Sequence, residues 1–328
     1  NTGETTTTST NTATAQLCLT KRRVLSIALT SSAMNAEKSA ALAKKGEKIP
    51  LTVTVTDGDG TPQPNVPIRL GRGNYSQNRA GGDENGSNSD MLLTPIAPPA
   101  DAKVFAYHYS GEQLWYWYGT TDESGRVQFE LTQDNTPGLK TRLEAMLPDN
   151  PPTVSDMDAI FTVITSPDSD KAKYWGHMPE IVTNSAGVKF RRPLLAAEMT
   201  SNSGTYLVNN EKWPLVTAAN TEKAGATGCD AEYQPLSGDL QTLYGDNPNG
   251  AIGTNYGWPV AGNKSWWAAD RAPNTGYYQF INLNSGGKGT ASSSTATGAQ
   301  VCRVEPHTST PASITLTSTA MDSAKNAA

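Results

Sequence analysis

Apolar residues in the first half of the chain recur at every second position. Residues 49–57, IPLTVTVTD, set Ile49, Leu51, Val53 and Val55 on one side and Thr on the other, the period of a strand with one buried face. Residues 57–65, DGDGTPQPN, are dense in turn formers, and residues 66–70, VPIRL, read as the returning strand. Residues 120–131, TTDESGRVQFEL, repeat the turn-then-strand logic with Val127, Phe129 and Leu131 on one face. Residues 139–147 and 158–165 complete a set of short strands separated by turns, the pattern of an immunoglobulin-like β-sandwich. Residues 32–45, rich in Ala and Lys, fit a helical turn or an irregular first strand.

The stretch 71–119 is too long for an ordinary sandwich loop and reads as an inserted excursion. Its first half is rich in Gly, Asn and Asp. Asp83, Glu84, Asn85 and Asp90 suggest a calcium loop, but the EF-hand spacing is absent and a solvated loop is favoured. Its second half, 104–119, alternates Phe, Tyr and Trp as a two-sided aromatic hairpin would, and packing is favoured over a ligand platform.

The texture changes near 164–180, where Trp175, His177 and Met178 are expected to pack at a domain junction. A catalytic His177 would need an oriented carboxylate and a nucleophile, and the sequence marks neither. Beyond it, residues 209–229 predict a helix with Trp213 and Ala218 facing inward and Cys229 just past its end. Residues 236–245 predict a short helix capped by Ser237, with Leu240 and Leu243 as its apolar face. Residues 276–284 and 299–304 read as strands, the latter carrying Cys302. Between these elements, residues 255–280 hold Trp258, Trp266 and Trp267 among Gly, Pro and Asn, and read as long aromatic loops.

The two ends of the chain resemble each other. Residues 27–41, IALTSSAMNAEKSAA, and 314–328, ITLTSTAMDSAKNAA, match at 9 of 15 positions without a gap. Upstream, TATAQLC ends at Cys18 and TATGAQVC ends at Cys302. Self-similarity of this kind is the signature of an array. Cys18 then holds the place of Cys302 in a preceding unit, which pairs Cys229 with Cys302 in a disulfide and leaves Cys18 an orphan. A bridge from Cys18 stays open.

Composition narrows the function classes. Charged residues are 17% of the 328, Thr, Ser, Asn and Gly are abundant, and the formal net charge is −5. With no basic cluster beyond residues 21–23, nucleic-acid binding is not expected. No apolar run approaches the roughly 20 residues of a membrane helix. The three cysteines and the widely separated His108, His177 and His307 lack zinc spacing. No metal, cofactor or catalytic residue is expected; Asp239, Asp246 and Asp270 are available to a glycan hydrolase, but nothing marks them as paired.

The order of Trp213, Ala218 and Cys229, a Leu-x-x-Leu-Tyr helix, the Gly257-Trp258-Pro259 loop, Trp266-Trp267, Tyr277-Tyr278 and Cys302 resembles a bacterial C-type-lectin-like domain. The TDGDGTPQPNVPIRL and TTDESGRVQFEL hairpins before it resemble a bacterial immunoglobulin-like domain. Together they are similar to the repeat unit of large enterobacterial surface adhesins related to intimin and invasin, a group that includes giant repeat proteins of conjugative plasmids. The resemblance implies a mainly β fold: an immunoglobulin-like sandwich over 25–165 and an α+β C-type-lectin-like domain over 166–305. Residues 1–24 would be the tail of a preceding repeat and 306–328 the start of the next. It also implies a non-enzymatic, extracellular adhesion module contacting protein or glycan on another cell, or else a spacer. The Glu-Pro-Asn and Trp-Asn-Asp calcium ligands of animal lectins are missing; the one QPN, at 63–65, lies in the first domain's turn. The candidate contact surface is Trp258, Trp266, Trp267, Asp270, Arg271, Asn274, Tyr277 and Tyr278, with at least half of the set expected to be buried.

Overall fold

The computed structural model describes residues 24–77, 79, 91–96, 103–109, 112–133, 137–148, 152–218 and 229–307. Cys18, the repeated segment 314–328 and the acidic stretch 83–90 lie outside them.

The alternating segments of the first half form two packed sheets. One holds β1 (Leu25–Thr30), β4 (Lys48–Asp57), β9 (Arg126–Gln133) and β6 (Met91–Ile96) in that spatial order. The other runs β2 (Met34–Asn35), β3 (Ala40–Lys44), β11 (Val154–Pro167), β10 (Leu139–Met146), β5 (Pro67–Gln77), β8 (Glu112–Thr120) and β7 (Lys103–Tyr109). The period-two pattern holds residue by residue. Ile49, Leu51, Val53 and Val55 of β4 face Val127, Phe129 and Leu131 of β9 in one buried cluster. Trp117 of β8 meets Phe129 across the sandwich edge to face, ring centroids 4.9 Å apart. The first strand changes sheets: β1 pairs antiparallel with β4, and β3 then pairs parallel with β11. Residues 32–45 are therefore the irregular strand and not the helical turn.

The stretch 71–119 contains paired strands. It supplies strands to both sheets, β6 at the edge of the first and the β7–β8 hairpin at the edge of the second. Residues 104–109 and 112–119 lie on the two strands of that hairpin. Gln63 of the QPN triplet braces the first domain's turn. Its amide donates to the buried Asp57 carboxylate at 3.0 Å, which also accepts from the Asp59 and Thr61 amides.

The second half begins with β12 (Gly176–Met178), parallel to β11, and the hairpin β13 (Ile181–Thr183) and β14 (Lys189–Arg191). A second hairpin follows, β15 (Gly204–Val208) and β16 (Glu211–Thr217). The helix expected from residue 209 is thus a strand as far as Thr217. Asn209 and Asn210 both take positive φ, 50° and 64°, the turn that joins two twisted antiparallel strands. Pro214 and the β-branched Val216 and Thr217 further disfavour a helix there. The remainder of that expected helix, 219–228, lies outside the described residues.

Helix α1 (Ser237–Asp246) buries Leu240 and Leu243, and α2 (Ala251–Tyr256) buries Ile252. A last sheet holds β17 (Ser265–Arg271), β18 (Tyr277–Asn282) and β19 (Lys288–Ser292), while β20 (Thr297–Gly298) joins β16. Residues 299–304 do not make the expected strand. They are held by single bridges, Trp266 to Ala299 and Phe190 to Arg303. Cys229 and Cys302 are joined in a disulfide, Cα atoms 5.5 Å apart.

At the junction the backbones approach closely. Gly257 closes α2 with φ 76°, and a Cβ there would sit 1.9 Å from the Ile164 carbonyl oxygen of β11. A Cβ on Gly176 would meet the Ser166 carbonyl at 1.6 Å. Glu211, 3% exposed, ties the connecting segment to β16. Its Oε1 accepts from the Ser166 hydroxyl at 2.7 Å and from the Lys173 and Tyr174 amides at 2.8 and 3.2 Å.

Candidate contact surface

The aromatic run 255–280 is mostly core, not loop. Trp258 follows α2 and stacks on Trp266 of β17, centroids 5.6 Å apart, with Phe190 edge-on to Trp258. Trp267, next in the strand, points to the other face, where its indole donates to the Val216 carbonyl at 2.9 Å and its ring meets Phe280. Trp258 and Trp266 are 1% exposed, Trp267 2% and Tyr278 4%. These four are removed from the candidate surface. A Trp-Trp pair in a strand puts one indole on each side of the sheet, and each here has a cluster to fill.

Asp270, Arg271, Asn274 and Tyr277 occupy one place, the turn end of the β17–β18 hairpin. Asp270 is half-buried and turned inward: its carboxylate accepts the Ser237 amide at the first turn of α1. This corrects the cap expected from Ser237, which is the first helical residue, the N-cap position being held by Leu236. Asp239 completes the helix start by accepting the Leu236 amide at 2.9 Å. Carboxylates at a helix N-terminus satisfy otherwise unpaired amides and suit the helix dipole. Asp246 accepts the Ser185 amide at 2.6 Å. The three carboxylates weighed for hydrolysis therefore each bind backbone.

Arg271, Asn274 and Tyr277 are exposed, Tyr277 at 41%. The turn that carries them is closed by backbone bonds, Ala272 N–H to the Tyr277 carbonyl at 2.9 Å and Tyr277 N–H to the Asn274 carbonyl at 3.2 Å. Gly276 accepts from the Ser293 amide at 2.8 Å, which fixes the turn to the end of β19. The Arg271 guanidinium lies 5.4 Å from the Tyr278 ring centre, so the buried tyrosine carries the exposed cation. The result is a rigid tip bearing a cation, an amide and an aromatic.

Sequence reasoning missed the polar residues that lock the second half. Arg192, 8% exposed, donates to Glu180 and, with two nitrogens, to Glu198, each at 2.8 Å. Burial works to raise the Glu198 carboxyl, but its bonds from Arg192 and the Leu195 amide prevail and hold it below the usual range. His177 sits in β12 beside β11. Its burial, with Lys44 nearby, holds the imidazole below its ordinary value, and its Nδ1 is buried without a partner. The described residues contain no cluster of metal-binding side chains. No described helix is long and apolar enough to cross a membrane.

Comparison with known proteins places this geometry. Residues 167–303 match the family described as Adhesion domain, and residues 46–164 match Bacterial Immunoglobulin-like 21. The solved structure of the adhesin InvE from Yersinia pseudotuberculosis is similar over 86% of this chain and 70% of its own, with 26% identity and a TM-score of 0.62. The C. elegans p53 ortholog Cep-1 aligns over 42% of this chain and 87% of its own at 8% identity. The T6 backbone pilin of serotype M6 Streptococcus pyogenes aligns over 57% of this chain and 50% of its own at 10% identity. Both have TM-scores of 0.22 and carry no argument. No curated protein matches. An immunoglobulin-like domain over 46–164 followed by an adhesion domain over 167–303 makes the chain an intimin/invasin-like unit, immunoglobulin-like and then C-type-lectin-like.

Proposed function

We propose that the unit is a non-enzymatic adhesion module, displayed outside the cell as one repeat of a longer surface protein, that contacts protein or glycan on another cell. The observation that carries this reading is the match of 167–303 to an adhesion domain. The contact residues are Arg271, Asn274 and Tyr277, because the hairpin tip is where this aromatic run reaches the surface. An exposed aromatic beside an Arg on a rigid turn is the composition of a binding hot spot, burying area at low entropic cost. Neighbouring repeats of the same chain would set its distance from the cell. The contact is independent of calcium and is made with a host cell or a neighbouring bacterium.

A second reading, a spacer whose adhesive surface lies elsewhere in the full-length protein, draws on the burial of Trp258, Trp266, Trp267 and Tyr278. Binding of the labelled chain to whole bacteria and to host cells decides between them. The variant Arg271→Ala/Tyr277→Ala should lose at least about tenfold in affinity while its melting is unchanged. Absence of binding by the parent chain supports the spacer, and equal binding by this variant removes the contact from the hairpin tip. Loss of binding on chelation would overturn the calcium-independent contact.

A further inference from the structure

A second feature of the surface stands apart from the hairpin tip. Between the segment that follows β11 and the β15–β16 hairpin lies a cleft of about 730 Å³. Its walls carry the cations Arg79, Lys171, Lys173 and Lys212 against the carboxylates Asp170 and Glu211. The chain as a whole bears −5, so this cleft has the opposite sign to the molecule around it. The cations come from three separate stretches: the first domain, the connecting segment and the second hairpin.

Two of the cations are held in place. Arg79 has only 9% of its side chain exposed. It pairs with Asp168, which also takes the Lys38 ammonium at 2.9 Å, and its guanidinium lies 4.3 Å from the Trp175 ring centre. Lys173 has its ammonium 5.4 Å from the Tyr174 ring centre. Lys171 and Lys212 are exposed at the rim. Of the two acids, Glu211 has its Oε1 committed to Ser166 and to two backbone amides. Ala196, Ala197, Leu207 and Asn210 line the space between the charges.

We propose that this cleft binds an anionic oligosaccharide. Cations fixed by aromatic and ionic contacts offer their N–H groups to carboxylate or sulfate without further ordering. Small aliphatic side chains and an amide between them suit a ring that presents both C–H faces and hydroxyls. The volume is that of a small-molecule site. The inference is independent of the tip, so either can fail alone.

Calorimetric titration of the whole chain tests it with four probes. These are a heparin hexasaccharide (sulfated), a hyaluronate hexasaccharide (carboxylated), neutral maltohexaose and hexaglutamate. One or both acidic sugars should bind, and the stronger of the two identifies sulfate or carboxylate as the recognised group. Binding should weaken at least about tenfold in Lys171→Gln/Lys173→Gln/Lys212→Gln, and also between about 0.05 M and about 0.5 M salt. The tip variant Arg271→Ala/Tyr277→Ala should bind like the parent. If the triple variant melts early, Lys171→Glu/Lys212→Glu alters only exposed side chains and should abolish binding. Failure of both acidic sugars to bind overturns the proposal, as does full binding by a folded cleft variant. Equal affinity for maltohexaose or hexaglutamate also overturns it, the latter in favour of an acidic peptide.

Discussion

Glu211 gives the sharpest test of how the second half is held to the segment leading into it. Its Oε1 accepts from the Ser166 hydroxyl, the Lys173 amide and the Tyr174 amide. Ser166 is fully buried and Tyr174 is 6% exposed. Glu211→Ala would leave the Lys173 and Tyr174 amides without this acceptor or admit water by opening the junction, while the Ser166 hydroxyl keeps the Tyr174 carbonyl at 2.9 Å. Each buried unsatisfied group costs about 1–3 kcal/mol, and of the two stranded amides Tyr174 is deeply buried and Lys173 half-buried, so the expected loss is about 2–4 kcal/mol. Glu211→Gln keeps an acceptor oxygen in place and loses only charge assistance, about 1–2 kcal/mol. The assay is urea unfolding followed by tryptophan fluorescence, fitted with a transition for each domain. Ser166→Ala in the Glu211→Ala background should cost less than Ser166→Ala alone, because one of its two acceptors is already gone. If Glu211→Ala unfolds within about 0.5 kcal/mol of the parent, as an unremarkable surface charge would, the clamp is refuted.

Other perturbations follow from the same structure. Replacing Cys229 and Cys302 by Ser frees a link across 73 residues and should lower the second domain's stability by about 4 kcal/mol, leaving the first domain's transition in place. Trp266→Ala removes an indole stacked on Trp258 and should cost about 3–5 kcal/mol, whereas Tyr277→Ala should stay within about 0.5 kcal/mol by the same urea assay. His177 is held below its ordinary 6.5 by burial, so as pH falls through 6.5 the unfolded chain takes up its proton first and stability declines; His177→Asn should flatten that part of the stability–pH curve. Glu198 behaves as a depressed carboxyl, its contribution present above the ordinary 4.5 and lost as pH falls through its folded value.

Legibility in the sequence followed the range of the interaction. In β4 and β9 the alternation of Ile49, Leu51, Val53 and Val55 with Thr could be read because a half-buried strand has period two by geometry alone. The helix at 237–246 was legible from Leu240 and Leu243, but its caps were not, since Asp270 reaches Ser237 from 33 residues away. The hairpin at 204–217 had a local signal, the Asn209-Asn210 pair, which the helix expectation overrode. The strands within 71–119 were hidden by Gly- and Asn-rich stretches between them. The sequence foretold that aromatics would crowd 255–280 but not which would be buried. That depends on the sheet face each residue takes, and Trp266 and Trp267 fill opposite faces.

The hairpin tip itself depends on a defect in pairing. Trp267 pairs with Phe280 and Arg271 with Tyr278, so four steps along β17 match two along β18, and the register shifts between them. A bulge bends and twists the strand and re-aims its side chains. Here Asp270 is sent inward to the first turn of α1, while Arg271 goes outward beside Tyr277. Ala269 N–H adds a bond to the Pro235 carbonyl at 2.8 Å, so the bulge is fastened to the start of α1 at two successive residues. Asp270 is then a positioning residue for a contact surface it does not join. Asp270→Ala should cost about 0.5–2 kcal/mol, as loss of a helix-capping carboxylate does. It should also speed hydrogen exchange at the Ala272 and Tyr277 amides that close the turn and weaken cell binding, although Arg271, Asn274 and Tyr277 are all still present. A purely local helix cap would produce the stability loss without the change in exchange at the tip, and that outcome would sever the link between α1 and the contact surface.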